Sequence, residues 1–366
     1  MAESIDAVVV TESPLWNVPW FAYCVEFERV IASVLDADTI EISRRTGTLP
    51  KMLADRHRAR NLAKSVKSLR SFDWNAGEKH YDLAVIVVSD LNQLGVLAAM
   101  PGWRSIADRF IAYVFEVWPV WLPAAAGAFT DVIDHLDHVF VGLEKVIPHM
   151  QALTKTPVSF VPCGVDVLQV KPPTSIEGKR VDVSNRGRRD KGQHHMLMEW
   201  AAANDKFYEY DTGGLANVES PDGHRRHFYE QAARSRAFVA NLARLDQADL
   251  RGGVAEVGLR YYEAVACGSV LIGEHPPRDM IERSLGNPPG LFDLPGGCTS
   301  MPGDIGEMLT DDRAVIDLGV ANRRVGLKHL DVSHRWDVMA GALGLGDTPG
   351  VVARRAALAA ELASLA

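Results

Sequence analysis

Cysteine is scarce in this chain of 366 residues: Cys24, Cys163, Cys267 and Cys298 are far apart and no two form a Cys-x-x-Cys pair. That pattern excludes a disulfide frame or a cysteine zinc site and predicts reduced, buried thiols. Long apolar runs are also missing, and none reaches the ~20 residues a membrane span needs. No signal peptide is visible, because Glu3 and Asp6 precede the first apolar run. A soluble, cytoplasmic protein is expected. Positive charge is not in excess: 39 Lys and Arg against 47 Asp and Glu give a net charge of −8. Nucleic acid is therefore not expected as a partner. There is no Gly-x-Ser-x-Gly elbow, no Gly-x4-Gly-Lys-Ser/Thr phosphate loop and no Gly-x-Gly-x-x-Gly after the first strand. These absences disfavour a common hydrolase, a P-loop kinase and a typical dehydrogenase. No internal repeat or low-complexity tract is present.

What remains is an ordinary globular composition, long enough for two domains with separate cores. Asp6 to Val10 reads as a buried first strand. The loop Thr11 to Pro19 follows it, flanked by Trp16 and Trp20. Ligands of open α/β sheets gather outside strand carboxyl ends, so these indoles either stack on an acceptor or pack the core rim. Phe21 to Leu35 reads as a helix, and Asp38 to Ile42 as a strand. A helical stretch over 50–72 carries eight basic residues, from Lys51 to Arg70, against Asp55. It is either a solvated face or a contact for an anionic acceptor or lipid headgroups. Tyr81 to Val88 and Phe110 to Phe115 are apolar strands, the second followed by Glu116, which is placed as a general base or acceptor ligand or as a simple strand-end carboxylate. A helix before Val139 is expected to hold Asp131, Asp134, His135, Asp137 and His138, with the two histidines close enough to share a face. No supporting set of ligands accompanies them, so no metal is expected. Apolar strands alternating with helices predict a parallel α/β sheet, and the Pro-containing segment Gly164 to Gly178 is the expected linker.

The second half is organised around Gly258 to Ile272. Small residues Ala264, Ala266, Gly268 and Ser269 let a short helix approach the strand Val270 to Ile272, while Arg260 and Glu263 share one helix face. A carboxylate inside a sheet-packed helix is unfavourable unless something accepts it, and a ribose diol is one candidate. Upstream, strand Val181 to Asn185 runs into a basic turn, Arg186 to Gly192, and then a helix expected from Gln193 to Ala203. Cations at a helix N-terminus form an anion site, because free N–H groups and the dipole add to their charge; the alternative is a solvated turn.

Together these stretches resemble the donor-binding half of GT-B glycosyltransferases. Arg186 and Lys191 match the spacing of the family's Arg-x4-Lys clamp, Glu263 sits in a Glu-Ala-x-Ala-Cys-Gly segment, and Val161 to Asp166 is similar to its Pro-x-Gly-Val-Asp junction. One departure is plain. Many relatives place a sugar-contacting glutamate eight positions before the ribose glutamate, where this chain has Ala255, with Glu256 adjacent. The Arg260-x-x-Glu263-Ala264 segment is closer to the spore-maturation-type branch.

The resemblance implies two Rossmann-like domains facing a central cleft: 1–165 for the acceptor, 166–345 for the nucleotide sugar, and a helix over 346–366 returning to the first domain. It implies a hexosyltransferase, of retaining type, in which Arg186 and Lys191 stabilise the departing diphosphate without a metal or other cofactor. Glu116 is the candidate catalytic residue of the first domain. Donor ligands would be Glu263, Arg260, Gly258, Leu259, Asn241 and Asp211, the last opening a loop that holds the base. Trp16 and Trp20 would meet a small-molecule, glycan or protein acceptor. Peripheral contact with the inner membrane face through 50–72 is compatible with this. A GT-B-shaped sugar-nucleotide epimerase and a non-catalytic sugar-nucleotide-binding protein are the alternatives.

Overall fold

Continuous apolar runs form strands that bury both faces, and such strands belong in parallel sheets covered by helices. The structure, a computed structural model, describes residues 5–16, 18–44, 72–75, 77–100, 102–211 and 219–365. The chain divides into two compact units. Met1–Pro162, Asn217–Pro221 and Trp336–Ala353 form the first; Cys163–Ala216, Asp222–Arg335 and Arg354–Ala366 form the second. The basic stretch over 50–72 lies outside the described residues, except Phe72.

The first unit holds a seven-stranded sheet. Its strands are β1 (Ala7–Thr11), β2 (Asp38–Arg44), β3 (Phe72–Trp74), β4 (Tyr81–Val88), β5 (Ala107–Val114), β6 (His138–Val141) and β7 (Val158–Phe160). The order is β3-β2-β1-β4-β5-β6-β7, parallel throughout except for the antiparallel edge strand β3. The chain leaves β1 toward β2 through helix Ala22–Leu35, then returns to β4 on the other side of β1. The order therefore reverses between β1 and β4, and it is outside strand carboxyl ends at such a point that open α/β sheets bind ligands. Helix Ala22–Leu35 ends because Asp36 adopts a left-handed conformation (φ 52°) and its N–H returns to the Ala32 carbonyl. Its Phe27 stacks on Tyr113 of β5 at 4.5 Å between ring centroids. Such a pair contributes ~0.5–1.5 kcal/mol beyond the area it buries.

The second unit holds five parallel strands: β8 (Val181–Asn185), β9 (Tyr208–Tyr210), β10 (Ser235–Val239), β11 (Val270–Gly273) and β12 (Leu291–Asp293). Their order, β12-β11-β10-β8-β9, reverses between β8 and β10. Helix Leu259–Ala266 packs against helix Asp312–His329, and glycine permits the approach: a Cβ on Gly326 would lie 3.1 Å from Ala266 Cα.

Two expectations need correction. His135 and His138 do not share a helix: the helix ends at Asp131, His135 closes a 3-10 turn, and His138 opens β6. The apolar run Val139 to Val141 extends back through His138, whose ring stacks on Phe140 and whose Nε2 meets Ser159 Oγ at 2.9 Å. The helix expected from Gln193 begins at Lys191 instead, because Asp190 is its N-cap and accepts from the Gln193 N–H at 2.8 Å. Among the described residues no helix is long and apolar enough to cross a membrane.

Candidate functional site

The reversal point of the second sheet gathers most of the residues singled out in that half. β8 delivers Arg186 and Gly187 just past its carboxyl end, and β10 delivers Asn241. Gly187 has a left-handed φ of 84°, and a Cβ there would come 3.4 Å from Arg260 Nη2. The Arg260 guanidinium lies against this turn, its Nε donating to the Arg186 carbonyl at 3.2 Å. Arg260 belongs to helix Leu259–Ala266, whose N-cap is Gly258 in an extended conformation. A Cβ on Gly258 would sit 2.9 Å from the Asn241 carbonyl, so only glycine lets the helix start so close to β10.

Glu263 is fully buried, and its two oxygens are engaged by two guanidiniums, Arg225 Nη1 on Oε1 and Arg260 Nη1 on Oε2. Burial alone would raise its pKa, but the two cations outweigh burial and hold it below the ordinary carboxyl value. Arg225, 3% exposed, also donates to Tyr229 Oη at 2.6 Å, and the Arg260 guanidinium lies 4.5 Å above the Phe228 ring. Arg225 and Phe228 are the residues that reasoning from the sequence missed here. Their only signal was a basic helix, now seen as Pro221–Ala233.

The rest of the basic turn is shared among acids. Arg186 Nη2 lies 2.7 Å from Glu209 Oε2, while its buried Nε has no acceptor among the described residues. Arg188 pairs with Asp246 at 3.1 Å, and Arg189 with Asp211 at 2.6 Å. Asp211 also accepts from the Gly187 N–H at 2.9 Å, so it closes the turn. The loop expected after it lies outside the described residues. Lys191 is exposed on the first turn of its helix, with no pairing carboxylate among the described residues. The helix start is tightly tied: Asp190 Oδ1 also accepts from the Gly297 N–H at 2.8 Å, and a Cβ on Gly192 would fall 2.5 Å from Gly297 Cα. Asn241 is committed to neighbours, exchanging hydrogen bonds with the Gln193 amide and accepting from the Glu274 N–H at 2.7 Å.

In the first unit, Trp16 and Trp20 do come together, 5.7 Å between centroids, with Trp20 40% exposed. Glu116 follows β5 and accepts from Trp118 Nε1 at 2.7 Å. The reversal point of this sheet adds two carboxyls absent from the sequence reading. Glu12 accepts from Trp16 Nε1 at 2.8 Å, and Glu28 from Thr11 Oγ1 at 2.7 Å. The second oxygen of each is buried with no hydrogen-bond partner among the described residues. Burial pushes Glu12 up to about 8, against the lowering effect of its Trp16 bond, and it pushes Glu28 well above the carboxyl range. A folded-state pKa above the unfolded value makes the fold bind more protons than the unfolded chain, so stability falls as pH rises between about 4.5 and 8. Glu12→Gln, which keeps an oxygen for Trp16, is expected to flatten that fall, by a few kcal/mol at its upper end. Melting curves of the variant and the native chain across this window test it; parallel curves would show that Glu12 is not neutral in the fold.

Two doubly wound parallel α/β units in tandem are the architecture of the GT-B fold. No protein-family model matches the chain, and no curated protein matches it. Solved structures do. Alr3699/HepE of Anabaena, in complex with UDP and glucose, aligns over 93% of this chain and 99% of its own, with a TM-score of 0.52 and 11% identity. Its complex with UDP-glucose aligns over 93% and 99%, with a TM-score of 0.50 and 12% identity.

Proposed function

We propose that this chain transfers a sugar, of hexosyl type, from a nucleoside diphosphate sugar to a hydroxyl acceptor. The observation that carries the reading is the group of cations at the β8/β10 reversal point, Arg186 and Arg260 beside the turn at Gly187 and Lys191 on the helix start. Breaking the sugar–phosphate bond places negative charge on the departing diphosphate. Lys191 has no pairing carboxylate among the described residues, and Arg186, which lies against Glu209, keeps further guanidinium donors. Donors placed in advance for charge that grows in the transition state lower the barrier without reorganising. In this reading such donors take the part a divalent metal plays elsewhere, so turnover is metal-independent. Arg260 and Glu263, with Gly258, Leu259, Asn241 and Asp211, shape the donor side. Glu263, buried between Arg225 and Arg260, would serve the donor side by fixing the partly exposed Arg260 guanidinium. The complexes of Alr3699/HepE with UDP and UDP-glucose support a nucleotide sugar as donor.

Retention of configuration, in the proposal, follows from the sequence resemblance. So does the division into an acceptor part (1–165), a donor part (166–345) and a returning helix (346–366); action in the cytoplasm or at the inner membrane face follows instead from the scarce, scattered cysteines and the basic stretch 50–72. Trp16, Trp20 and Glu116 would serve the acceptor. Calorimetry with UDP, GDP, dTDP and their sugars, followed by a hydrolysis assay without acceptor, tests the reading. Nucleotide binding with slow release of free sugar is expected. An altered sugar nucleotide as product would make the chain an epimerase, and binding without turnover would make it a carrier or scaffold.

A further inference from the structure

Helix Pro221–Ala233 brings one titratable side chain to the donor side that the proposed transfer leaves unused, His224. The helix leads from the carboxyl end of β9 back to the start of β10, so its first turns stand on the side of the sheet where ligands gather. Helical side chains lean toward the helix N-terminus, which carries the His224 ring further to that side. Four positions on, along the same helix face, Phe228 has the Arg260 guanidinium 4.5 Å above its ring. The residue next to His224, Arg225, holds Glu263, the carboxylate that Arg260 also grips. His224 itself is half-buried, and its imidazole has no hydrogen-bond partner among the described residues. The charges acting on it are Arg225 and His227 of its own helix, with Arg260 and Glu263 of helix Leu259–Ala266. Burial first, and then the two guanidiniums, hold the imidazole below its ordinary value of 6.5 against the pull of Glu263. At neutral pH the ring is therefore uncharged.

We propose that His224 is a further ligand of the donor's diphosphate and takes up a proton from solvent when the nucleotide sugar binds. The inference rests on the donor site proposed above and adds to it one residue and one proton. A diphosphate brings negative charge against Arg260 and offsets the repulsion that keeps the imidazole neutral. The charged ring then has a donor on each nitrogen, and a hydrogen bond between ions is shorter and stronger than one between neutral groups. No bond of the donor breaks in this step: the proton leaves the solvent and stays on a ring nitrogen of His224. Recognition of the donor is thereby tied to pH through a side chain that titrates near neutrality.

Calorimetry of the full chain with UDP-glucose, GDP-mannose and dTDP-glucose, each in buffers of different ionisation enthalpy, counts the proton. These diphosphates are diesters with no proton to lose near neutrality, unlike the free nucleoside diphosphates. Near pH 7 the nucleotide sugar that binds is expected to take up a measurable part of one proton. Its affinity should rise severalfold from about pH 8 to about pH 6, within the ceiling of about tenfold per unit that one proton sets. His224→Gln keeps a donor but cannot be charged, so it is expected to bind without the uptake and with an affinity flatter across that range. His224→Asn takes its place if the glutamine variant does not fold. Binding to the native chain without uptake, or uptake unchanged in the variant, overturns this inference and leaves the donor site standing. If none of the three nucleotide sugars binds the native chain, the donor site itself is refuted, and the inference with it.

Discussion

Lys191→Ala is expected to lower kcat/KM by about two to three orders of magnitude while leaving the fold unchanged. Removing one preorganised donor to developing charge has an effect on that scale, roughly 2.7–4 kcal/mol. Stability should hardly change, for three reasons. Lys191 is exposed, alanine is the best helix former, and the cap supplied by Asp190 stays in place. Arg188→Ala is the matched control, because Arg188 is already paired with Asp246 and half exposed. Its loss should change turnover only slightly. Steady-state release of the nucleoside diphosphate, measured beside thermal melts of all three proteins, separates the cases. Native turnover in a folded Lys191→Ala protein would remove Lys191 from the proposed chemistry.

Glu263→Ala should be the most destabilising single change at this site. The carboxylate has no exposed surface and stands between Arg225, itself buried, and Arg260. Without it two guanidiniums face each other, one with no water to solvate it, and breaking a buried pair in this way costs about 3–5 kcal/mol. The pH dependence has a definite sign. Because the folded-state pKa is depressed, the carboxylate's contribution is present above the unfolded value of 4.5 and fades as pH falls through the folded one. The gap between native and variant stability should therefore narrow on acidification below about 4.5. Replacing Arg225 and Glu263 together by methionine should recover much of the stability without restoring nucleotide binding, since it removes both buried charges at once. Denaturation of the three proteins at neutral and acidic pH decides the matter; a stable Glu263→Ala protein would mean that Arg225 is solvated in the fold.

Where the sequence was legible, packing and local pattern agreed. β4 and β11 are apolar runs buried on both faces, and nothing in their neighbourhood competes with a strand. The cation turn after β8 was visible because its charges are consecutive. Its boundary was not, because Gly192 reads as a turn residue while Asp190 acts as a cap. Glycine is needed there for a close approach to Gly297, a contact between positions 105 apart that no local pattern carries. Arg225 and Glu263 are 38 positions apart, and only the fold brings them together. Glu12 was hidden for a related reason: a carboxyl beside a proline turn reads as solvated, and burial is what makes it neutral. His138 was misplaced because polar neighbours on one side outweighed the strand that begins at it.

The tether at Asp190 has a consequence for anyone altering this protein. One carboxylate oxygen holds two amides, those of Gln193 and Gly297, so the loop after β12 and the basic helix start behave as a single mechanical part. A displacement of about 1 Å in a reacting group can slow a reaction roughly a hundredfold. Changes around Gly297, distant in the chain and innocent in chemistry, would thus be felt at Lys191 as misalignment.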